Sequence, residues 1–150
     1  VMTPIDTLKA KGALRVVLTD ANGNVKEDVQ LKNLVVNTGL NFIVLRMKDA
    51  TASAMTHMEL GSDTVAAGAA DVALGVAIGA SRTGLASTDV STNTITYVAS
   101  FGAGVGTGAV TEAGIFNDSV AGTMLCRTVF PVVNKQAGDS MTVTWTVTVS

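Results

Sequence analysis

The fold class of this chain is decided by residues 141–149, which read MTVTWTVTV. Large apolar residues alternate strictly with threonine along this stretch. A period of two places the apolar side chains on one face of a β-strand and the threonines on the other. The stretch therefore predicts a half-buried strand whose apolar face is formed by Met141, Val143, Trp145, Val147 and Val149.

Other short strands are predicted upstream, with turn residues between them. Residues 13–19 and 25–36 flank the segment DANGN, and its Asn22-Gly23 pair favours the positive φ of a tight hairpin. The apolar spacing slips between Val25 and Val29, which indicates a β-bulge. Further strands are predicted at residues 55–60, 94–101, 110–117 and 123–133.

One helix is predicted, because the apolar period changes once. Leu40, Ile43, Val44 and Met47 recur at i, i+3, i+4 and i+7 and predict the apolar face of a short helix that ends near Lys48. Residues 61–75 are small, polar and rich in alanine, as expected of a long surface loop.

Together these elements predict a mainly all-β chain, an antiparallel β-sandwich or jelly roll with one short helix. Residues 1–12 are predicted to be an N-terminal arm, and residues 13–150 a single sandwich domain. Aromatic side chains are expected to anchor its core: Tyr97, Phe101, Phe116, Phe130 and Trp145.

The composition narrows the functional classes. The chain has 150 residues, of which 47% are hydrophobic and 15% charged, and its net charge is -2. That near-neutral total argues against a nucleic-acid partner held by bulk positive charge, and no window is apolar enough to predict a membrane span or a secretory signal. An apolar, weakly charged chain of this kind is expected to bury surface against copies of itself, as a dimer or trimer.

Several patterns suggest chemistry, but each favours a structural role. Glycines alternate at residues 102–108. A dinucleotide site instead needs its third glycine three residues after the second, where this chain has Thr107, and a helix directly after the run. His57 and Glu59 would share a strand face, yet one histidine and one cysteine are too few ligands for zinc. Cys126 is expected to be a packed hydrophobic residue rather than a nucleophile. No catalytic residue, cofactor or metal is therefore predicted.

Two polar features have similarly simple interpretations. Glu112 follows the glycine run with no second carboxylate at a recognisable spacing, so it is expected to hold a loop. The threonine face of the last strand is typical of the solvated side of a sheet. At a sheet edge, the same strand would offer its unpaired backbone to a neighbouring subunit.

One segment resembles a known class of proteins. Residues 96–117 (TYVASFGAGVGTGAVTEAGIFN), continued by residues 122–130 and preceded by residues 33–43, resemble a segment of tailed-bacteriophage virion structural proteins. The resemblance implies a non-enzymatic β-sandwich subunit, made in the host cytoplasm and placed on the capsid surface as a decoration or cement protein. Its partner there would be the major capsid protein, and by binding it the subunit would stabilise the contacts between capsomers. A tail-fibre or receptor-binding module is the alternative, since similar domains occur in such devices.

The capsid contacts are expected to come from the N-terminal arm and the long loop, because termini and loops can become ordered on binding. The interface residues predicted on this basis are Met2, Pro4, Ile5, Leu8, Lys9, Lys11, Asp63 and Val65.

Overall fold

The structure is a computed structural model that describes residues 7–150. The predicted interface residues Met2, Pro4 and Ile5 lie outside the described residues. The elements are β1 (Ala10–Thr19), β2 (Val25–Val35), α1 (Asn37–Lys48), β3 (His57–Gly61), β4 (Thr83–Gly84), β5 (Ser87–Ser91), β6 (Thr94–Phe101), β7 (Gly108–Phe116), β8 (Met124–Lys135) and β9 (Ser140–Val149).

The described strands form one antiparallel sheet in the order β4-β3-β7-β8-β2-β1-β9-β6-β5. The sheet is strongly curled into a half-barrel, rather than clearly divided into the two layers of a sandwich or jelly roll. The prediction of a mainly antiparallel β protein with one short helix is confirmed.

Strand β2 connects the two halves of the curled sheet. It pairs with β1 along most of its length, whereas only Leu34 and Val35, at its end, pair with β8. The predicted bulge is confirmed at Lys26, because Leu18 pairs with Glu27 and the next pair joins Thr19 to Val25. The hairpin turn is also confirmed, with Gly23 at φ 85°.

The concave side of the sheet holds the core, as the alternation in β9 predicts. Trp145 and Phe101 are fully buried in this core, and Tyr97 and Phe130 nearly so. The prediction is wrong for Phe116, which is buried in a separate apolar cluster with Val36 and Met124. The threonines of β9 are half-exposed on the opposite face. Because β9 pairs with β1 on one side and β6 on the other, it is not an edge strand and has no free backbone for a neighbouring subunit.

The helix presents a different face from the one predicted. It begins at Asn37 and buries Gly39 and Phe42, whereas Leu40, Val44 and Met47 are 44%, 61% and 72% exposed. The predicted apolar face is therefore wrong for these three residues.

The contact between the helix and β8 explains why the helix turns this face, rather than the predicted one, toward the core. Gly39 faces the backbone of Leu125 so closely that a Cβ on Gly39 would lie 2.1 Å from the Leu125 carbonyl oxygen. The Thr38 hydroxyl also donates a hydrogen bond to the Met124 carbonyl oxygen at 2.9 Å. With this side of the helix against β8, Phe42 enters the core and the opposite stripe is left outside.

The described part of the N-terminal arm is tied to the end of β9. The Lys9 amide donates to the Ser150 carbonyl oxygen at 2.7 Å, and the Ser150 amide donates to the Lys9 carbonyl oxygen at 2.8 Å. Strand β1 begins at Ala10, so residues 10–12 of the predicted arm belong to the sheet. Within residues 7–150, no helix is sufficiently long and apolar to cross a membrane.

Candidate functional site

The long loop between β3 and β4, residues 62–82, packs against the outer face of β7. Leu74 of this loop joins a small apolar cluster with Val36, Phe116 and Met124, separate from the main core. As a result, β7 is buried on both faces from Val110 to Phe116. We call residues 62–82 the outer loop.

Glu112 of β7 fixes the outer loop from beneath. Its side chain is fully buried, and its Oε2 accepts backbone N–H groups from Asp63 at 2.8 Å and Val76 at 2.9 Å. Its Oε1 accepts the Gly75 N–H at 2.9 Å and the Arg127 Nε–H at 3.0 Å. The prediction that Glu112 holds a loop is confirmed, and its full burial keeps it away from any substrate in solution.

Arg127 of β8 provides the positive charge beside Glu112. Its side chain is only 3% exposed, and its Nη1 donates to the Asp71 carboxylate at 2.8 Å. Its Nη2 donates to the Asp63 carboxylate at 3.3 Å and to the Val65 carbonyl oxygen at 3.2 Å. Every nitrogen of this buried guanidinium therefore binds an oxygen, as burial of a charge requires.

The electrostatic effects within this cluster favour the charged forms. Burial acts to lower the pKa of Arg127, but its hydrogen bonds to Asp71 and Glu112 outweigh burial and raise that pKa above its ordinary value. The hydrogen bond from the Gly68 N–H holds the pKa of Asp71 below its ordinary value, and the hydrogen bond and charge of Arg127 lower it further. The outer loop is thus ordered within the subunit itself, not only after a partner binds.

The anchored loop presents apolar side chains outward. Val65, Val72 and Val76 are 68%, 63% and 53% exposed. Asp63, a predicted interface residue, uses its carboxylate within the subunit, on Arg127 and on the amides of Thr64 and Val65. Among the other predicted interface residues, Leu8, Lys9 and Lys11 are exposed beside the end of β9.

The glycine run at residues 102–108 is held by a buried lysine. Lys135 is 1% exposed, and its ammonium donates to the carbonyl oxygens of Gly102 at 2.9 Å and Asp139 at 2.7 Å. Burial lowers the pKa of Lys135. Strand β7 follows this run, so the helix that a dinucleotide site requires at that position is replaced by a strand.

The structure does not bring the other candidate residues together as a reactive site. The His57 Nδ1 lies 2.7 Å from the Thr56 hydroxyl, whereas Glu59 accepts a hydrogen bond from Arg82 at 3.3 Å. Cys126 is fully buried, and burial raises the pKa of its thiol to about 12, which keeps it protonated and unreactive. No group of three or more His, Cys, Asp or Glu side chains within the described part of the chain is placed to hold a metal ion.

Sequence reasoning missed Arg127, Asp71 and Lys135. The signal for Arg127 is its position within the apolar stretch MLCRTVF, because a charged residue inside a buried strand needs a partner. That signal indicates a buried pair but does not identify the partners, which come from the outer loop and from β7.

Stability is expected to fall in acid because of the carboxylates in this cluster. The pKa of Asp71 is depressed, so its contribution is complete above about pH 4, where the unfolded aspartate is ionised, and is lost as the pH falls through the folded-state pKa. When thermal unfolding is measured at a series of pH values from 7 to 2, the midpoint temperature should therefore begin to fall once the pH is below about 4.

The Asp71→Asn variant tests the cause of this drop. It is expected to be less stable than the wild type at pH 7, with the difference closing as the pH falls below about 4. Asp89→Asn, which removes an exposed carboxylate of β5, is the matched control and should show no such difference. A constant gap between Asp71→Asn and the wild type at every pH would contradict the assignment.

Comparison with known proteins adds no relative: no family model matches the sequence, and searches of curated proteins and of solved structures found no match.

Proposed function

We propose that this protein is a non-enzymatic structural subunit of a bacteriophage virion, a decoration or cement protein on the outer surface of the capsid. It would bind the major capsid protein, together with copies of itself, and stabilise the contacts between capsomers. The resemblance of residues 96–117 to virion proteins supports this assignment. The observation that carries it is the outer loop, which presents exposed valines and is anchored to the sheet by the buried Arg127 and Glu112.

A preformed apolar contact surface suits a cement protein. A loop that is already ordered loses little conformational entropy on binding, so more of its contact energy appears as affinity. Weak contacts that are repeated by capsid symmetry then add up through avidity. The hydrogen bonds and ion pairs of the outer loop with Glu112 and Arg127 keep it ordered, and its exposed valines provide the apolar contacts.

We also propose that the half-barrel is a variant of the two-layer sandwich or jelly roll. One core contains Phe101 of β6 and Trp145 of β9 together with Ile115 of β7 and Leu125 of β8. A single core shared by both halves of the curled sheet supports this proposal, because the two layers of a sandwich also enclose one apolar interior.

Binding to empty expanded capsids that lack this protein tests the proposal. Capsids are incubated with the purified protein and sedimented, and the bound fraction is measured across a concentration series. We expect saturable binding, and weaker binding by the triple variant Val65→Ser, Val72→Ser, Val76→Ser. Partial burial of three valines at about 1 kcal/mol each predicts a loss of about 100-fold.

The control variant carries the same substitutions at three other exposed valines, Val25, Val120 and Val132. It is expected to bind capsids as the wild type does. Equal losses in both variants would show that the outer loop is not the contact surface. Binding to host cells or polysaccharide without binding to capsids would replace the proposal with a tail-fibre or receptor-binding module.

A further inference from the structure

A second feature of the molecule is an apolar pocket between α1 and the sheet. Its volume is about 390 Å³, within the range of small-molecule sites. One side comes from α1 and the other from β5, β6 and β9. Its apolar lining includes Phe42, Ile43, Met55, Ile95, Leu125 and Val147.

Besides the exposed Thr88, two polar residues interrupt this apolar wall, Tyr97 and Arg46. Tyr97 is 5% exposed, and no hydrogen bond from within residues 7–150 contributes to its pKa, which burial raises to about 12. Its hydroxyl makes no hydrogen bond within the described part of the chain and, unlike the Trp145 Nε1, is not fully enclosed, so it is open to the pocket. A ligand that fills the pocket covers this hydroxyl, which costs free energy unless the ligand accepts its hydrogen bond.

Arg46 stands on the helical side of the same pocket. Its Nη1 donates to the Ala52 carbonyl oxygen at 2.8 Å, which holds the guanidinium in place. Its Nε and Nη2 bind no acceptor within residues 7–150, and no described carboxylate pairs with it. Arg46 is exposed, so the pocket combines an apolar interior with one positive charge at its solvent-facing side.

We propose that this pocket binds a single-chain amphiphile with an anionic headgroup, the aliphatic tail lying between α1 and β6 and the headgroup on Arg46 and Tyr97. A cavity of 150 Å³ accommodates benzene, so by simple scaling 390 Å³ holds about 15 non-hydrogen atoms. Dodecanoate, with a twelve-carbon chain and a carboxylate, fits that size.

The polar pair favours an amphiphile over an apolar side chain from a neighbouring protein. A valine or leucine inserted into the pocket would cover Tyr97 and leave its hydroxyl unpaired. A carboxylate instead accepts hydrogen bonds from both the hydroxyl and the guanidinium, which are stronger because one partner is ionised.

Isothermal titration calorimetry with dodecanoate, kept below its micellar concentration, tests the proposal. We expect one site per chain. Dodecyltrimethylammonium has the same tail and the opposite charge, and it should bind at least tenfold more weakly. Arg46→Gln should weaken dodecanoate binding about tenfold and reduce the preference for the anionic probe.

Two tryptophan variants of the edge strand β5 locate the site. Thr88 lines the pocket and is exposed, so Thr88→Trp fills the pocket without changing a buried position. Ser87 is the adjacent residue and faces the opposite side of the strand. We expect Thr88→Trp to abolish dodecanoate binding and Ser87→Trp to preserve it, with both variants folded by circular dichroism.

Equal binding of the two probes, or unchanged dodecanoate binding by Thr88→Trp, would overturn the proposal. So would a wild type that binds no dodecanoate. Self-association of the wild type that Thr88→Trp abolishes, without any dodecanoate binding, would identify the occupant as a second copy of the chain.

Discussion

Arg127→Ala is expected to lower the free energy of unfolding by about 3–5 kcal/mol, the usual cost of removing one partner from a buried ion pair. The substitution leaves the Glu112 carboxylate fully buried without its charged partner. It also releases Asp63 and Asp71 of the outer loop. Urea denaturation followed by circular dichroism measures the loss.

Arg15→Ala is the matched control. Arg15 also binds a carboxylate through two nitrogens, those of Asp28, but its side chain is 53% exposed. Exposed pairs contribute about 0–1 kcal/mol, so this variant should lose little. Similar losses in the two variants would contradict the importance assigned to the buried cluster.

Hydrogen exchange separates an effect on the outer loop from general loss of stability. The Gly75 and Val76 amides donate to Glu112, so they should exchange faster in Arg127→Ala even under strongly native conditions. Amides of the β1–β9 ladder lie outside the cluster and should change only with global stability.

The second large effect is expected for Gly39→Ala, which should reduce stability by about 2–3 kcal/mol. The added methyl would lie 2.1 Å from the Leu125 carbonyl oxygen, and because the atoms it meets are backbone atoms, α1 or β8 would have to shift. Alanine favours helices over glycine by about 1 kcal/mol, but that gain is smaller than the cost of moving α1 off β8.

Gly84→Ala provides the control, because no atom lies within 4 Å of the position where its Cβ would be placed. Thermal unfolding of both variants checks the prediction, and Gly84→Ala should stay within about 0.5 kcal/mol of the wild type. A stable Gly39→Ala protein would show that the helix does not need this close approach.

The sequence predicted the parts of this fold that depend on local pattern. The alternation in β9 is a period of two that holds for any sheet with one buried face, and Trp145 therefore lies where it was expected. The Asn22-Gly23 turn is similarly local, since positive φ at Gly23 suits the hairpin whatever surrounds it.

The orientation of α1 illustrates what periodicity misses. The helix carries two apolar stripes, one with Phe42 and one with Leu40, Val44 and Met47. Both have helical spacing, so the pattern alone does not show which stripe faces the core. The choice depends on how closely Gly39 approaches β8, a tertiary contact between distant residues.

The buried cluster was missed for a related reason. Arg127 binds residues 63, 71 and 112, which come together only when the outer loop crosses β7 and β8. Asp63 and Asp71 lie in a small, polar stretch and look like ordinary solvated groups in the sequence, so nothing local pairs them with Arg127 or Glu112. The single curled sheet was missed as well, because it depends on the pairing of Leu34 and Val35 of β2 with β8, which joins residues distant in the sequence.

The central place of β9 has a consequence for synthesis on the ribosome. Strands β1 and β6 are translated well before β9, yet β9 lies between them and hydrogen bonds with both. A nascent chain that lacks residues 140–149 therefore exposes two strand edges and the apolar surface that Trp145 covers. Completion of this half of the sheet must wait for that late segment, so the nascent molecule passes through a stage vulnerable to aggregation.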